Sequence, residues 1–339
     1  MRGIESQNRS QANMAEITII VPAHNAAQYI KECLNSIYEQ TCKSIATIVV
    51  NDGSTDCTEQ IVREFADTHS DFDIKLINAS SKGAAGARNL GIRYAETRYV
   101  GFIDADDVID KNMFQSMLAI ANEYCADLVT CDFYWCFETN KKRQSLPKEV
   151  TELSMFQSGW AAPWNKLYRR SVLVEHDINF TEGLTYEDTA FYLKCIPYCK
   201  IIKHINKPYV FWRQHKTSTM GKSQDDRIPQ IFPVLLDAVE YYKKNGIYQE
   251  YKSRLEYFCI KLLWGSSMYR ICQVKNPAKR RQYIALTWQW LNANFPGWKK
   301  NQYLGKSARA VYIKTITPVT AEIYSHLIYF VRYWGRNRM

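Results

Sequence analysis

No C-x-x-C pair occurs among the ten cysteines of this sequence. The spacings that do occur, Cys131/Cys136 and Cys195/Cys199 among them, exclude a zinc module and a disulfide framework. Residues 1–15 are polar and lack the apolar stretch of an export signal, so a disordered leader is expected there. Unpaired thiols together with that missing signal point to a reducing cytoplasm. No apolar run approaches the ~20 residues that a membrane-spanning helix needs. Zinc-finger, RNP-like and helix-turn-helix signatures are also missing, which speaks against a nucleic-acid-binding module.

What is present is a chain rich enough in apolar residues, 46%, to bury a core. It carries 23 tyrosines and nine tryptophans. Rings of that kind either fill a core or meet sugars and interfaces, because they join an apolar body to a polar handle. The net charge of +10 is unevenly spread: residues 225–339 hold 19 basic and seven acidic residues, and residues 1–224 are slightly acidic. Such asymmetry marks an anionic partner for the C-terminal part, with nucleic acid and an acidic membrane surface as the two candidates.

Short apolar runs alternate with amphipathic stretches over the first hundred residues. Strands are expected at 16–22, 45–50, 74–77 and 99–103, and helices at 26–40, 58–66 and 86–96. This β-α-β rhythm implies a parallel sheet with helices on both faces, in which ligands bind at the carboxyl ends of the strands. Polar motifs fall at those ends: His24-Asn25, Asn51-Asp-Gly-Ser-Thr-Asp56 and Asp104-Ala-Asp-Asp107. From about residue 225 the pattern becomes helical, basic and aromatic.

The Asp104–Asp107 cluster crowds carboxylates that repel one another unless a cation compensates. A hard divalent ion such as Mg²⁺ or Mn²⁺ suits oxygen ligands and substrate phosphates. Taken alone, the cluster reads equally as a solvated, helix-capping turn. Two further motifs accompany it: Asp52, whose carboxylate could accept a base N–H, and Ser80–Gly91, whose glycines, Lys82 and Arg88 suit an anion or nucleotide cradle. Further on lie Trp164-Asn-Lys-Leu-Tyr168, Tyr186-Glu-Asp-Thr-Ala-Phe191 and Phe211-Trp-Arg-Gln-His215. Glu187-Asp188 by itself reads as an acidic pair at a helix N-terminus.

As an ordered set over residues 16–219, these motifs resemble family 2 glycosyltransferases of the inverting, bacterial polysaccharide-assembly type. The matching text is Ile17–Asn25, Val50–Asp56, Gly86–Gly91, Gly101–Asp107 and Glu187-Asp188. The resemblance implies a GT-A, Rossmann-like nucleotide-sugar-binding α/β domain over 16–224 and leaves a helical region over 225–339. It implies a nucleotide-sugar donor, UDP-linked by preference, and a glycan acceptor. Pro22, His24 and Asn25 then line the nucleotide pocket, Asp52 meets the base, and Lys82 and Arg88 lie near the donor. Asp104 stands near the ribose, Asp106 binds Mn²⁺ or Mg²⁺, and Asp188 is the general base. Arg213 and His215 belong to a loop that closes over the diphosphate, with His215 as a further candidate metal ligand. Lys166 is either a second counter-charge for the diphosphate or part of a packing element. A nucleotidyltransferase would want a Gly-rich basic loop after the first strand, where this chain has Pro-Ala-His-Asn.

Near the C-terminus, Val319, Ile323, Leu327, Phe330, Val331 and Trp334 share one helical face, and Arg332, Arg336 and Arg338 follow. That face lies either in a membrane interface or against the rest of the protein. The expectation is a peripheral enzyme on the inner face of the cell membrane, acting on a lipid-linked acceptor.

Overall fold

A computed structural model describes residues 15–147, 149–215 and 225–336. The leader expected over 1–15 therefore falls, Ala15 excepted, outside the described residues, as does Arg338. The chain divides into two compact units, residues 1–183 with 187–218, and residues 184–186 with 219–339.

The first unit is an α/β domain. In chain order its elements are β1 (Ile17–Ala23), α1 (Ile30–Tyr38), β2 (Ile45–Asp52), α2 (Thr58–Thr68), β3 (Ile74–Ala79), α3 (Gly83–Tyr94) and β4 (Tyr99–Phe102). There follow β5 (Val108–Ile109), α4 (Met113–Tyr124), β6 (Leu128–Cys136), β7 (Lys141–Gln144), α5 (Glu152–Ser158), β8 (Lys166–Arg169), α6 (Arg170–Glu175), α7 (Glu187–Cys195) and β9 (Ile202–Arg213). The strands form one sheet in the order β3-β2-β1-β4-β8-β6-β9-β5, with β7 paired to β6. β3, β2, β1 and β4 run parallel, and β8 joins antiparallel to β4 and β6. Ile17, Ile19, Ile20 and Val21 are fully buried, as a central strand covered on both faces requires. Pro22 lies past Ile20, the last β1 residue that β4 pairs, so its missing N–H leaves that ladder intact.

Two helices start elsewhere than the periodicity predicts, and tertiary bonds explain both. Instead of entering a helix at residue 26, the chain turns at Asn25 (φ 49°), and the N–H groups of Ala26 and Ala27 donate to Thr58 Oγ1 and Asp56 Oδ2 at 2.8 and 3.1 Å. α3 begins three residues early because the Asp52 carboxylate receives the N–H groups of Lys82 and Gly83. Within α3, Gly91 lies so close to β1 that an added Cβ would sit 2.4 Å from Ile20 Cγ2. That contact explains a glycine in a helix interior, where it costs about 1 kcal/mol against alanine.

The second unit is helical: α8 (Ile231–Lys244), α9 (Tyr248–Lys261), a π-helical turn, α10 (Met268–Ile271), α11 (Pro277–Asn294), α12 (Ala308–Thr315) and α13 (Pro318–Arg336). Local chemistry sets several starts. Asn276 caps α11 ahead of Pro277, and Thr317 and Thr320 exchange side-chain-to-backbone bonds ahead of α13. α13 buries Ala321 and Ser325, and its Glu322 pairs with Arg281 at 2.7 Å. Val319, Ile323, Leu327, Phe330 and Val331 stay exposed, from 55% to 67%. The face expected from the periodicity is thus a solvent-facing stripe; the side chains of Arg332, Trp334 and Arg336 lie outside the described set. All ten cysteines are free thiols. No described helix is long and apolar enough to cross a membrane.

Candidate active site

The C-terminal ends of β1 and β2 are tied into one ledge. His24 Nδ1 donates to the Asp52 carbonyl at 2.8 Å, so Nε2 is left to accept from Asn25 Nδ2 at 3.2 Å. Asn25 N–H donates to Ser54 Oγ, and Asn25 Oδ1 accepts from the Thr55 N–H at 2.8 Å. Gly53, at φ 67°, makes the turn that brings Ser54 and Thr55 there. Asp52 itself is 4% exposed, with one backbone N–H on each carboxylate oxygen, at 2.8 and 2.7 Å. Lys82 remains at the surface, 3.7 Å from Glu182 Oε2.

At the end of β4, oxygens of Asp104, Asp106 and Asp107 lie within 4.8 Å of one another. Burial, then repulsion from Asp104, raises the Asp106 pKa. Asp107 is pushed much further up by burial, then by Asp106 and Asp104. Its Oδ1 accepts the Arg213 N–H at 2.8 Å, and its buried Oδ2 has no hydrogen-bond partner among the described residues. An orphaned buried carboxylate oxygen beside two more carboxylates fits a divalent cation, which would satisfy the oxygen and relieve the repulsion.

Arg88 connects this cluster to the acidic pair. Its guanidinium donates to Asp104 Oδ1 at 2.7 Å and to Glu187 Oε1 at 2.8 Å, and the residue is 5% exposed. Buried charges persist only where partnered, and here one cation serves two carboxylates from distant parts of the chain. Asp188 follows Glu187 in the first turn of α7. Burial, then the neighbouring Glu187 charge, raises its pKa to about 6 against the pull of Arg88. A carboxyl poised there is a base at neutral pH, with enough basicity to take a hydroxyl proton in a transition state.

His215 Nε2 lies 2.9 Å from Asp106 Oδ2, and its ring packs on Tyr29 at 4.8 Å. Arg213 stacks on the same Tyr29 and pairs with Glu32 Oε2 at 2.8 Å. Lys166 corrects an expectation. Its ammonium donates to the Trp160 and Ala162 carbonyls and to Asn165 Oδ1, at 2.6–2.8 Å, and the residue is 1% exposed. All three N–H groups are used inside the protein, so Lys166 has none for a diphosphate; it is the packing element of the two alternatives. Burial lowers its pKa to about 7.

Residues 18–182 match the model of glycosyl transferase family 2. The chain carries a family 2 glycosyltransferase domain. This glycosyltransferase is 28% identical over 285 residues to EpsH of Bacillus subtilis, with 80% of each chain covered. It is 32% identical over 190 residues to the glycosyltransferase YibD of Escherichia coli, covering 52% of this chain and 55% of that one. Its GT-A fold is shared with Staphylococcus aureus TarS 1–349, crystallised with UDP-GlcNAc, at a TM-score of 0.72 and 22% identity, covering 94% and 92% of the two chains. A looser likeness, TM-score 0.52 at 17% identity, is to the mannosyltransferase PcManGT of Pyrobaculum calidifontis, solved with GDP-Man and Mn²⁺, covering 96% and 88%.

Sequence reasoning passed over several residues of the site in this glycosyltransferase. Asp107 was visible only as the third acid of a cluster. Glu187 was visible as half of a pair, without its Arg88 partner. Tyr29 and Glu32, which brace Arg213 and His215, look like ordinary polar-face residues of a helix and carry no signal.

Proposed function

We propose that the enzyme moves a sugar from a UDP-sugar to a glycan acceptor by a metal-dependent, inverting single displacement at the end of β4. The observation that carries this is the Arg88 bridge, which couples Asp104 to Glu187 and so ties the carboxylate cluster to the first turn of α7, where Asp188 lies. Asp106 would hold Mn²⁺ or Mg²⁺, with His215 beside it as an additional ligand and Asp107 completing the acidic set, while Asp104 stands near the ribose. An ion bound there would supply charge neutralisation for the leaving diphosphate. Pro22, His24 and Asn25 line the nucleotide, and Asp52 offers the base the lone pairs that its two amides leave free. Lys82 and Arg213 lie on the phosphate side, while Arg88 acts through Asp104. Asp188 accepts the acceptor's hydroxyl proton. The acceptor oxygen attacks the anomeric carbon from the face opposite the diphosphate, and the sugar C–O bond breaks with its electron pair leaving on UDP. No covalent enzyme intermediate is needed.

The fold-level likeness to a protein crystallised with UDP-GlcNAc supports the choice of UDP. The acceptor is lipid-linked and the enzyme peripheral on the cytoplasmic face of the cell membrane; the exposed stripe of α13 and the +12 balance of residues 225–339 support this part. A screen of UDP- and GDP-sugars for nucleotide release, with and without EDTA, tests the reading. Release from a UDP-sugar that stops in EDTA and returns with Mn²⁺ or Mg²⁺ is expected. Full release in EDTA, or release from GDP-sugars alone, overturns it.

A further inference from the structure

Five aromatic side chains gather where the C-terminal ends of β6 and β9 pair, with Trp135 opposite Trp212. Phe133 and Trp164 are buried and form a floor, with ring centroids 4.7 Å apart. Trp135, Trp160 and Trp212 lie over that floor: Trp135 is 4.2 Å from Trp212 and 5.7 Å from Trp160, and Phe133 is 5.5 Å from Trp160. These three indoles are only half-buried. Among the described residues nothing accepts a hydrogen bond from their ring N–H groups. A cluster that only filled a core would bury its rings and find partners for its N–H groups.

The cluster borders the chemistry on two sides. Trp212 precedes Arg213, whose N–H is bound to Asp107. The carbonyl of Trp160 holds the ammonium of Lys166, which lies 5.5 Å from the ring of Tyr192, one turn beyond Asp188 in α7. Half-buried indoles, whose ring N–H groups meet no acceptor among the described residues, thus adjoin the acidic cluster through Trp212 and the helix of the candidate base through Trp160.

We propose that Trp135, Trp160 and Trp212 form the acceptor subsite, which takes a pyranose ring by stacking its C–H face on indole and donating ring N–H to its hydroxyls. A pyranose is suited to this because it has an apolar face edged by equatorial hydroxyls, and binding sites for such ligands pair aromatic walls with a few directed polar groups. The subsite rests on the transfer reading above, because it assigns one of the two substrates of that site.

The test uses the full-length enzyme and the methyl β-glycosides of glucose, galactose and N-acetylglucosamine. Two readouts are taken: indole fluorescence during glycoside titration without donor, and acceptor KM in transfer alongside the Kd for UDP. At least one glycoside should perturb the emission, and Trp160→Ala should remove part of that response. The same variant should raise that glycoside's KM about tenfold, the loss typical of truncating an aromatic anchor, with Kd for UDP within twofold of wild type. Trp160→Phe, which keeps a ring face, should restore most of the affinity. Trp135→Leu should behave like Trp160→Ala. The subsite is refuted if no glycoside perturbs the fluorescence, or if acceptor KM is unmoved in both variants. UDP affinity falling in parallel with acceptor affinity also refutes it, since the cluster would then serve the fold or the donor. The fluorescence arm needs no turnover, so sugar binding is decided separately even if the donor screen contradicts the transfer reaction.

Discussion

The two units of this chain use charge in opposite ways. In the α/β unit the important charges are buried and partnered: Arg88 between Asp104 and Glu187, and Lys166 among three acceptors. In the helical unit the basic excess lies largely at the surface, near an exposed apolar stripe. Buried, paired charge in low dielectric fixes geometry and shifts pKa values, which is what chemistry needs. Surface charge is screened by salt and fixes little, but it biases which surfaces the molecule meets. On the proposed function, one region reacts and the other associates.

The largest effect expected from breaking this contrast is at the acidic cluster. Asp106→Asn should lower transfer about 10³-fold or more, since metal neutralisation of a diphosphate amounts to several kcal/mol. Melting followed by circular dichroism should change little, because Asp106 carries like-charge repulsion. A variant that keeps a tenth of wild-type activity would remove Asp106 from the metal site.

Next comes the base. Asp188→Asn should cut kcat by about 10²-fold or more, with the Kd for donor within twofold. The wild-type pH profile sharpens the point. Asp188 must be deprotonated to act, so kcat should fall below pH about 6, tenfold per unit, and level off above it. A limb near pH 4 would mean that Asp188 titrates as an ordinary surface carboxyl.

Arg88→Ala should then separate architecture from chemistry. It leaves Asp104 and Glu187 without their shared cation, and the expected cost is about 3–5 kcal/mol of stability, read from urea unfolding. Arg88→Lys should recover only part of this, since an ammonium cannot span both carboxylates as the guanidinium fork does. Stability unchanged in Arg88→Ala would show that the bridge is incidental.

How much of this was legible in the sequence follows the same division. Strand ends in the α/β unit announce themselves through apolar runs that stop at polar motifs, so β1 to β4 and the places of Asp52 and Asp104 could be read directly, while Asp188 was singled out only through the family resemblance. The antiparallel insertion of β8 between β4 and β6 could not, because four residues, Lys166–Arg169, carry no periodicity. Lys166 was ambiguous for a related reason: its burial depends on carbonyls of a loop that composition does not describe. The Arg88 bridge joins residues 99 apart in sequence and leaves no local trace. In the helical unit, the 3.6-residue period showed which face of α13 is apolar, but only the fold shows that small residues, Ala321 and Ser325, make the packing face while the larger ones remain outside.

The smallest effect is expected at that stripe. Replacing Ile323 and Leu327 by Ser should leave the melting temperature nearly unchanged, as exposed substitutions usually do within about 0.5 kcal/mol. It should weaken co-sedimentation with anionic vesicles at low salt. High salt should weaken wild-type binding as well, because each basic residue near such a surface contributes about 1 kcal/mol and is screened. A wild-type chain that ignores anionic vesicles would refute the proposed membrane role of this unit, and binding unmoved by the substitutions would take the α13 stripe out of it.

The central claim, that one bridged acidic site performs a single displacement with Asp188 as base, is tested most directly by the stereochemistry of the product. The enzyme is run in Mg²⁺ with an α-linked UDP-sugar, and the anomeric proton coupling of the isolated glycoside is measured by NMR. The account predicts a β-linked product from the α-linked donor. An α-linked product would require a second displacement or a same-face attack, and would contradict it.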